Sequence, residues 1–379
     1  MAEDVLPRSA PPPAATHRTV APAASTRPVV ANGADRAPRT ARDPLLDNAK
    51  FLAIALVVIG HAIELTIGDM RTGDGAVPLA RAAYVTIYSF HMPVFVLVAG
   101  YLSRDFGTRP GHAQRVISAI VVPYLVFEVT YELFNHYLAN GSASIDILDP
   151  SYAMWFLIAL FVWRLSAPLW RVMTPVAAIA AAVTISLLSG VLELPPVLDL
   201  YRILGFLPFF VVGLVIPAER FFTLVRHRIT RILAAPALAG MFAFAYVVLP
   251  HYPTQWLYYT DGYHAIGTTD LLGIAGRALV LAGGFVMVTA FLALVPRRRT
   301  WITALGAASL YVYLLHRFVV KAAEYNGLYD IAWIQTPLGV LALVGGALVL
   351  TLILASPPVR ALFRPVVEPR LEWLFRSQR

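Results

Sequence analysis

Lys50 and His61 stand eleven residues apart in DNAKFLAIALVVIGHAIE. That interval is almost three helical turns, so a helix sets both side chains on one face, about 16 Å apart along its axis. Asp47, Ile54, Val57 and Glu64 share this face at spacings of three and four. A near-neutral imidazole is a general base, and a carboxylate one turn away can orient it. Further groups of this kind lie inside apolar sequence. His91 precedes Pro93 in FHMPVFVLVAGYL, Glu128 and Glu132 are one turn apart with His136 a further turn on, and His316 sits in SLYVYLLHR. Ionisable groups at membrane depth cost roughly 2.5–3.5 kcal/mol each on the lenient insertion scale, which marks them as functional candidates. A second set, Lys50, Arg104, Arg109 and Arg115, has the fork and point charges that suit phosphates. The plainer readings are that Lys50 snorkels, His61 sits at an interface and the arginines only mark the cytoplasmic side.

The elements that must hold these groups are membrane helices. Of 379 residues, 58% are hydrophobic and 14% charged, and mean hydropathy is +0.68. That leaves too little polar surface for a soluble globule of this length. The apolar residues come in runs of about twenty, the length of a spanning helix, and lack the short alternating segments of a lipid-facing β-barrel. The expected fold is therefore all-α and polytopic, with about ten transmembrane helices near 46–66, 80–102, 113–137, 152–168, 174–192, 202–217, 230–249, 269–295, 301–323 and 334–356. The fourth and sixth are short. Most of the thirty Lys and Arg fall on one side if both termini are cytoplasmic, which also explains the net charge of +8 without nucleic acid. Residues 1–44, rich in Pro, Ala and Arg, read as a disordered cytoplasmic tail without a signal peptide, and 357–379 as a basic cytoplasmic tail. With no cysteine, thiolate metal sites and Cys nucleophiles are excluded, and no metal is expected.

Counted from the cytoplasmic side, His61, His91, Glu128, Glu132 and His316 lie roughly 12–17 residues deep, a layer about 18–25 Å in. One shared polar cavity accounts for that layer; several separate interhelical hydrogen bonds would also do so. Tyr258, Tyr259, Asp261 and Tyr263, in the outer stretch 250–268, suit either sugar contacts or an interfacial aromatic belt.

At these residues the chain resembles the membrane-bound acyltransferase 3 family, and within it the fucose 4-O-acetylase-like branch. DNAKFLAIALVVIGHAI resembles the family's first helix, with a basic residue, ten residues and a histidine. YSFHMPVFVLVAGYLSR resembles its second, RVISAIVVPY and MWFLIALFVWRL its third and fourth, and LPFFVVGL and LGAASLYVYLLH later ones. The resemblance implies an O-acyltransferase of the plasma membrane. It would move an acyl group, usually acetyl, from cytoplasmic acyl-CoA to a hydroxyl of a lipid-linked sugar, envelope glycan or glycoside. His61 matches the family's catalytic histidine, Lys50 its basic partner, and Arg115 the arginine placed near the CoA phosphates. His91 and His316 match family-typical histidines. Arg104 and Arg109 are spaced differently from the paired arginines of many relatives. In this reading Glu64, Glu128 or Glu132 orients His61, which acts either as base or as an acyl-carrying nucleophile. The competing reading is a proton-coupled transporter or acyl flippase using the same His/Glu layer.

Overall fold

The computed structural model describes residues 43–107, 116–139 and 146–369. The tails 1–42 and 370–379 lie outside them, as do Arg109 and Arg115. The described residues form helices, turns and loops, with no strand among them.

α1 (Pro44–Ile63) begins where Asp43 accepts the Leu45 N–H at 3.0 Å and Pro44 fixes the first turn. A short 3-10 turn, Glu64–Thr66, ends it. α2 (Pro78–Tyr88) and α3 (His91–Leu102) make one span interrupted at Ser89 and Phe90. A π turn, Ile117–Val121, leads into α4 (Val122–Ala139). α5 (Trp155–Arg171), α6 (Pro175–Ser189), α7 (Leu200–Gly205), α8 (Leu207–Val215) and α9 (Ala218–Arg226) follow. The remaining helices are α10 (Arg228–Val247), α11 (Asp270–Leu294), α12 (Trp301–Leu305), α13 (Ser309–Tyr325), α14 (Pro337–Leu354) and α15 (Pro357–Val367).

All ten expected segments are helical, but the number of long spans is smaller than ten. Among the described residues, seven are long and apolar enough to cross a bilayer, or eight if α8 and α9 count as one broken span bent by 107°. The shortfall lies in the middle of the chain. α5 has 17 residues because the stretch before Trp155 is taken up by turns, and α6 has 15. Residues 357–367, expected as tail, form the helix α15.

α1 is the hub, packing on α2, α3, α12, α13 and α14. Buried Asn48 fixes its N-terminal end by donating to the carbonyls of Pro296 (2.8 Å) and Arg298 (3.1 Å) and accepting from Thr303 Oγ1 (2.7 Å). α3 and α8 approach at backbone contact. A Cβ on Gly100 would overlap the Phe210 carbonyl oxygen, and one on Gly213 would overlap that of Leu97. Without a hydrophobic drive between helices in lipid, such small-residue crossings carry the association. Gly213→Val should therefore lower thermal stability in detergent, with an overpacking penalty of about 1–3 kcal/mol or more. Gly240→Ala, where a Cβ meets nothing within 4 Å, should leave the unfolding midpoint unchanged or slightly raised. Equal midpoints for both variants would show that the crossing is loose.

Candidate active site

The site is built where α1 ends. Glu64 follows α1 with helical backbone, so it lies on the same face as His61 three residues before it, and its Oε2 is 3.2 Å from His61 Nδ1. From α13, Arg317 Nη1 reaches the same carboxylate oxygen at 2.6 Å and His61 Nδ1 at 2.9 Å. The Tyr88 hydroxyl, from the last residue of α2, is 3.3 Å from Nδ1. Nδ1 thus faces an obligate acceptor in Glu64 and an obligate donor in Arg317. With its proton on Nδ1, His61 donates to Glu64 and leaves Nε2 as a base. With Nδ1 accepting from Arg317, Nε2 carries the proton. The two neighbours let the ring hold a proton on either side.

The other two histidines have fixed tautomers. His91 Nδ1 lies 2.9 Å from the Ile87 carbonyl, and His316 Nδ1 lies 2.9 and 2.8 Å from those of Val312 and Tyr313. A carbonyl only accepts, so each Nδ1 carries the proton and each Nε2 is an acceptor. His316 is fully buried and stacked on His61 with centroids 5.3 Å apart; its Nε2 has no hydrogen-bond partner among the described residues. His91 packs edge-on against Tyr88, 4.4 Å between centroids.

His61, His91 and Tyr88 open on a cavity of about 60 Å³ also lined by Trp155, Arg202, Phe206 and Tyr258. Burial pushes the Tyr258 phenol up to about 12, so it stays protonated at physiological pH. Its oxygen is 2.8 Å from the Tyr84 hydroxyl. A second, apolar cavity of about 260 Å³ has Lys50 and Arg164 among walls that include Ile54, Phe95 and Leu160. Val57, Met92 and Tyr313 line both cavities. Lys50 is paired with Asp47 at 2.7 Å.

The structure thus brings together His61, Glu64, His91 and His316, and it sets Lys50 on the adjoining cavity. Glu128 and Glu132 do not join them. Glu128 Oε1 accepts the Ser151 N–H and Glu132 Oε1 the Ser151 hydroxyl, both at 2.8 Å, and the pair holds the turn before α5. The carboxylate at His61 is Glu64. Arg104 donates to the carbonyls of Gly213 (3.0 Å) and Ile216 at the end of α8 and stacks on Tyr101. Its guanidinium satisfies helix-end acceptors. Of the outer aromatic group, only Tyr258 faces the His61 cavity. Tyr259 and Tyr263 are buried against Arg277 of α11, and the Asp261 carboxylate accepts from Thr260.

Sequence reasoning passes over Arg317, Arg202 and Tyr88. Arg317 had a usable signal, since a charge beside His316 in an apolar span carries the same insertion penalty as the histidines. Arg202 and Tyr88 had none beyond residue type. Among the described residues, no group of three His, Asp or Glu is placed to hold a metal ion.

A family model for an acyltransferase domain, acyltransferase 3, matches residues 43–356. The chain is 25% identical over 216 residues to nodulation protein NolL of Sinorhizobium fredii, covering 53% of this chain and 57% of that one. It is 36% identical over 75 residues to nodulation protein NolL of Mesorhizobium japonicum, covering 20% of this chain and 19% of that one. The chain therefore spans little more than half the length of the first of these relatives. No solved structure matches it.

Glu64→Gln leaves the Arg317 charge buried without its counter-ion, and the chain should lose about 3–5 kcal/mol of stability. Glu64→Gln combined with Arg317→Met should recover most of that loss, read as coupling in a double-mutant cycle of unfolding in detergent. Additive losses would mean that the two residues do not act as a pair.

Proposed function

The chain belongs to the acyltransferase 3 family, and from that premise we propose that it is a membrane O-acyltransferase using acyl-CoA as donor and His61 as general base. One observation carries the proposal: the His61–Glu64–Arg317 cluster opens on a cavity that shares three wall residues with a second cavity bearing Lys50 and Arg164. Two substrates can then meet from opposite sides. The donor enters the inner cavity with its anionic end toward Lys50 and Arg164, and its thioester reaches the boundary at Val57, Met92 and Tyr313. The acceptor hydroxyl comes from the outer side, past Tyr258 and Arg202.

The chemistry follows from the histidine's two-sided setting. His61, donating Nδ1–H to Glu64, removes the hydroxyl proton with Nε2 as the oxygen attacks the thioester carbonyl. The imidazolium so formed is stabilised by the Glu64 carboxylate, as in a Ser-His-Asp triad. Collapse of the tetrahedral intermediate breaks the C–S bond, and the departing thiolate takes the proton from Nε2. Arg317 keeps Glu64 anionic and fixes its position. The acceptor class is a hydroxyl of an envelope glycan, lipid-linked sugar or glycoside. A proton-transport reading would put Glu128 and Glu132 on the path; both are bonded to Ser151 and neither lines the His61 cavity.

His61→Ala should reduce transfer of labelled acetyl from acetyl-CoA into envelope glycans and glycolipids about 10²–10⁴-fold, the worth of a positioned base. Its membrane level and unfolding midpoint should stay near those of the parent. Undiminished label in that variant would remove His61 from the mechanism. Arg164→Ala should raise the KM for acetyl-CoA several-fold with little change in kcat, because it removes binding that is uniform through the reaction. A fall in kcat at constant KM would place Arg164 elsewhere.

A further inference from the structure

We propose that Met92 sets the acyl-chain length, holding the donor to a two-carbon acyl group; this rests on the acyl-CoA reading above. Among the described residues, only Val57, Met92 and Tyr313 line both cavities, so they frame the passage where a thioester arriving from the inner side would meet His61. The three differ in freedom. Val57 is β-branched and buried on α1, which leaves it one strongly preferred rotamer. Tyr313 donates its hydroxyl to the Ala153 carbonyl and is fixed by that bond. Met92 is unbranched, with three rotatable bonds. It stands beside His91 at the start of α3 and is the adjustable wall of the passage.

The space beyond the passage is small. A cavity of about 60 Å³ holds roughly four to six water-sized groups, at about 10–15 Å³ each. An acetyl carbonyl, its methyl and the attacking hydroxyl fill that space. Tyr88, Trp155 and Phe206 are rigid rings among its other walls, and the side by Tyr258 and Arg202 is taken by the acceptor, so further methylenes press on Met92 as the one adjustable wall. A methylene that fits or fails to fit in an apolar pocket is worth about 10- to 200-fold in kcat/KM. Truncating Met92 would widen the passage between the two cavities beside the thioester and admit a longer chain, while a residue of equal volume would keep the limit.

The test uses permeabilised membranes from cells expressing the full chain, supplied with radiolabelled acetyl-, butyryl- or hexanoyl-CoA, with label counted in glycan and glycolipid fractions. The parent should prefer acetyl over butyryl at least about tenfold and transfer no hexanoyl. Met92→Ala should raise the butyryl-to-acetyl ratio about tenfold or more and retain acetyl transfer; Met92→Leu should keep the parent's ratio. An unchanged ratio in Met92→Ala, with acetyl still transferred, overturns the role of Met92 alone. So does a parent that uses hexanoyl as readily as acetyl. No label from any donor with the parent chain overturns the acyl-CoA reading and the inference together.

Discussion

Glu64 and Arg317 form an ion pair 253 residues apart in sequence, mostly withdrawn from solvent, between the end of α1 and the middle of α13. Neither charge is tolerable there alone. Together they clamp the two helices that carry His61 and His316, and the same carboxylate oxygen that meets Arg317 also meets His61. The stack of the two imidazoles, the approach of Tyr88 and the walls of the outer cavity all depend on this clamp. One carboxylate oxygen meets both the Arg317 guanidinium and the His61 ring, so the cluster has little freedom to drift without loosening the bundle.

Around that centre the helices divide the labour by how they end. α1 ends at Ile63 and Glu64 keeps helical backbone, which puts it one turn on from His61. The α2–α3 break at Ser89 and Phe90 sets Tyr88 and His91 edge to face. Within α13 a regular turn gives His316 a carbonyl at Val312 to hold its tautomer. Irregular backbone inside a membrane is tolerated where a cavity or a side chain satisfies it, and here the irregular stretches coincide with the site.

Much of this was legible in sequence. The spacing of Lys50, Val57, His61 and Glu64 fixed one face of α1, and the structure lays that face along both cavities, with Glu64 at His61. Depth along each span grouped five residues; of these the structure sets His316 against His61 and His91 on the same cavity as His61. Glu128 and Glu132 face Ser151 instead, because depth says how far in a residue lies and nothing about the side of the helix it leaves from. Arg317 was hidden for a related reason: its partner is fixed by helix packing and not by spacing along the chain. The outer tyrosines separate by backbone geometry. Tyr259 adopts a left-handed φ of 54°, so it turns into the protein while its neighbour Tyr258 faces the cavity. In the middle of the chain the short fourth segment becomes the 17-residue α5, while hydropathy, which registers apolar content alone, shows neither the shortness of α6 nor the 107° bend between α8 and α9.

One consequence of α1 concerns what kind of donor the fold can accept. Lys50, Val57 and His61 ride on a single uninterrupted helix, so the separation of the inner cation from the imidazole is a fixed gauge of about 16 Å. No hinge along α1 can shorten it. A donor that touches both ends at once must carry its charge and its reactive carbonyl at the two ends of a long, thin, flexible arm. A compact activated acid such as an acyl phosphate could meet one end or the other, but not both. On the acyl-CoA reading proposed above, the helix would select for donor shape before any side chain tests the acyl group.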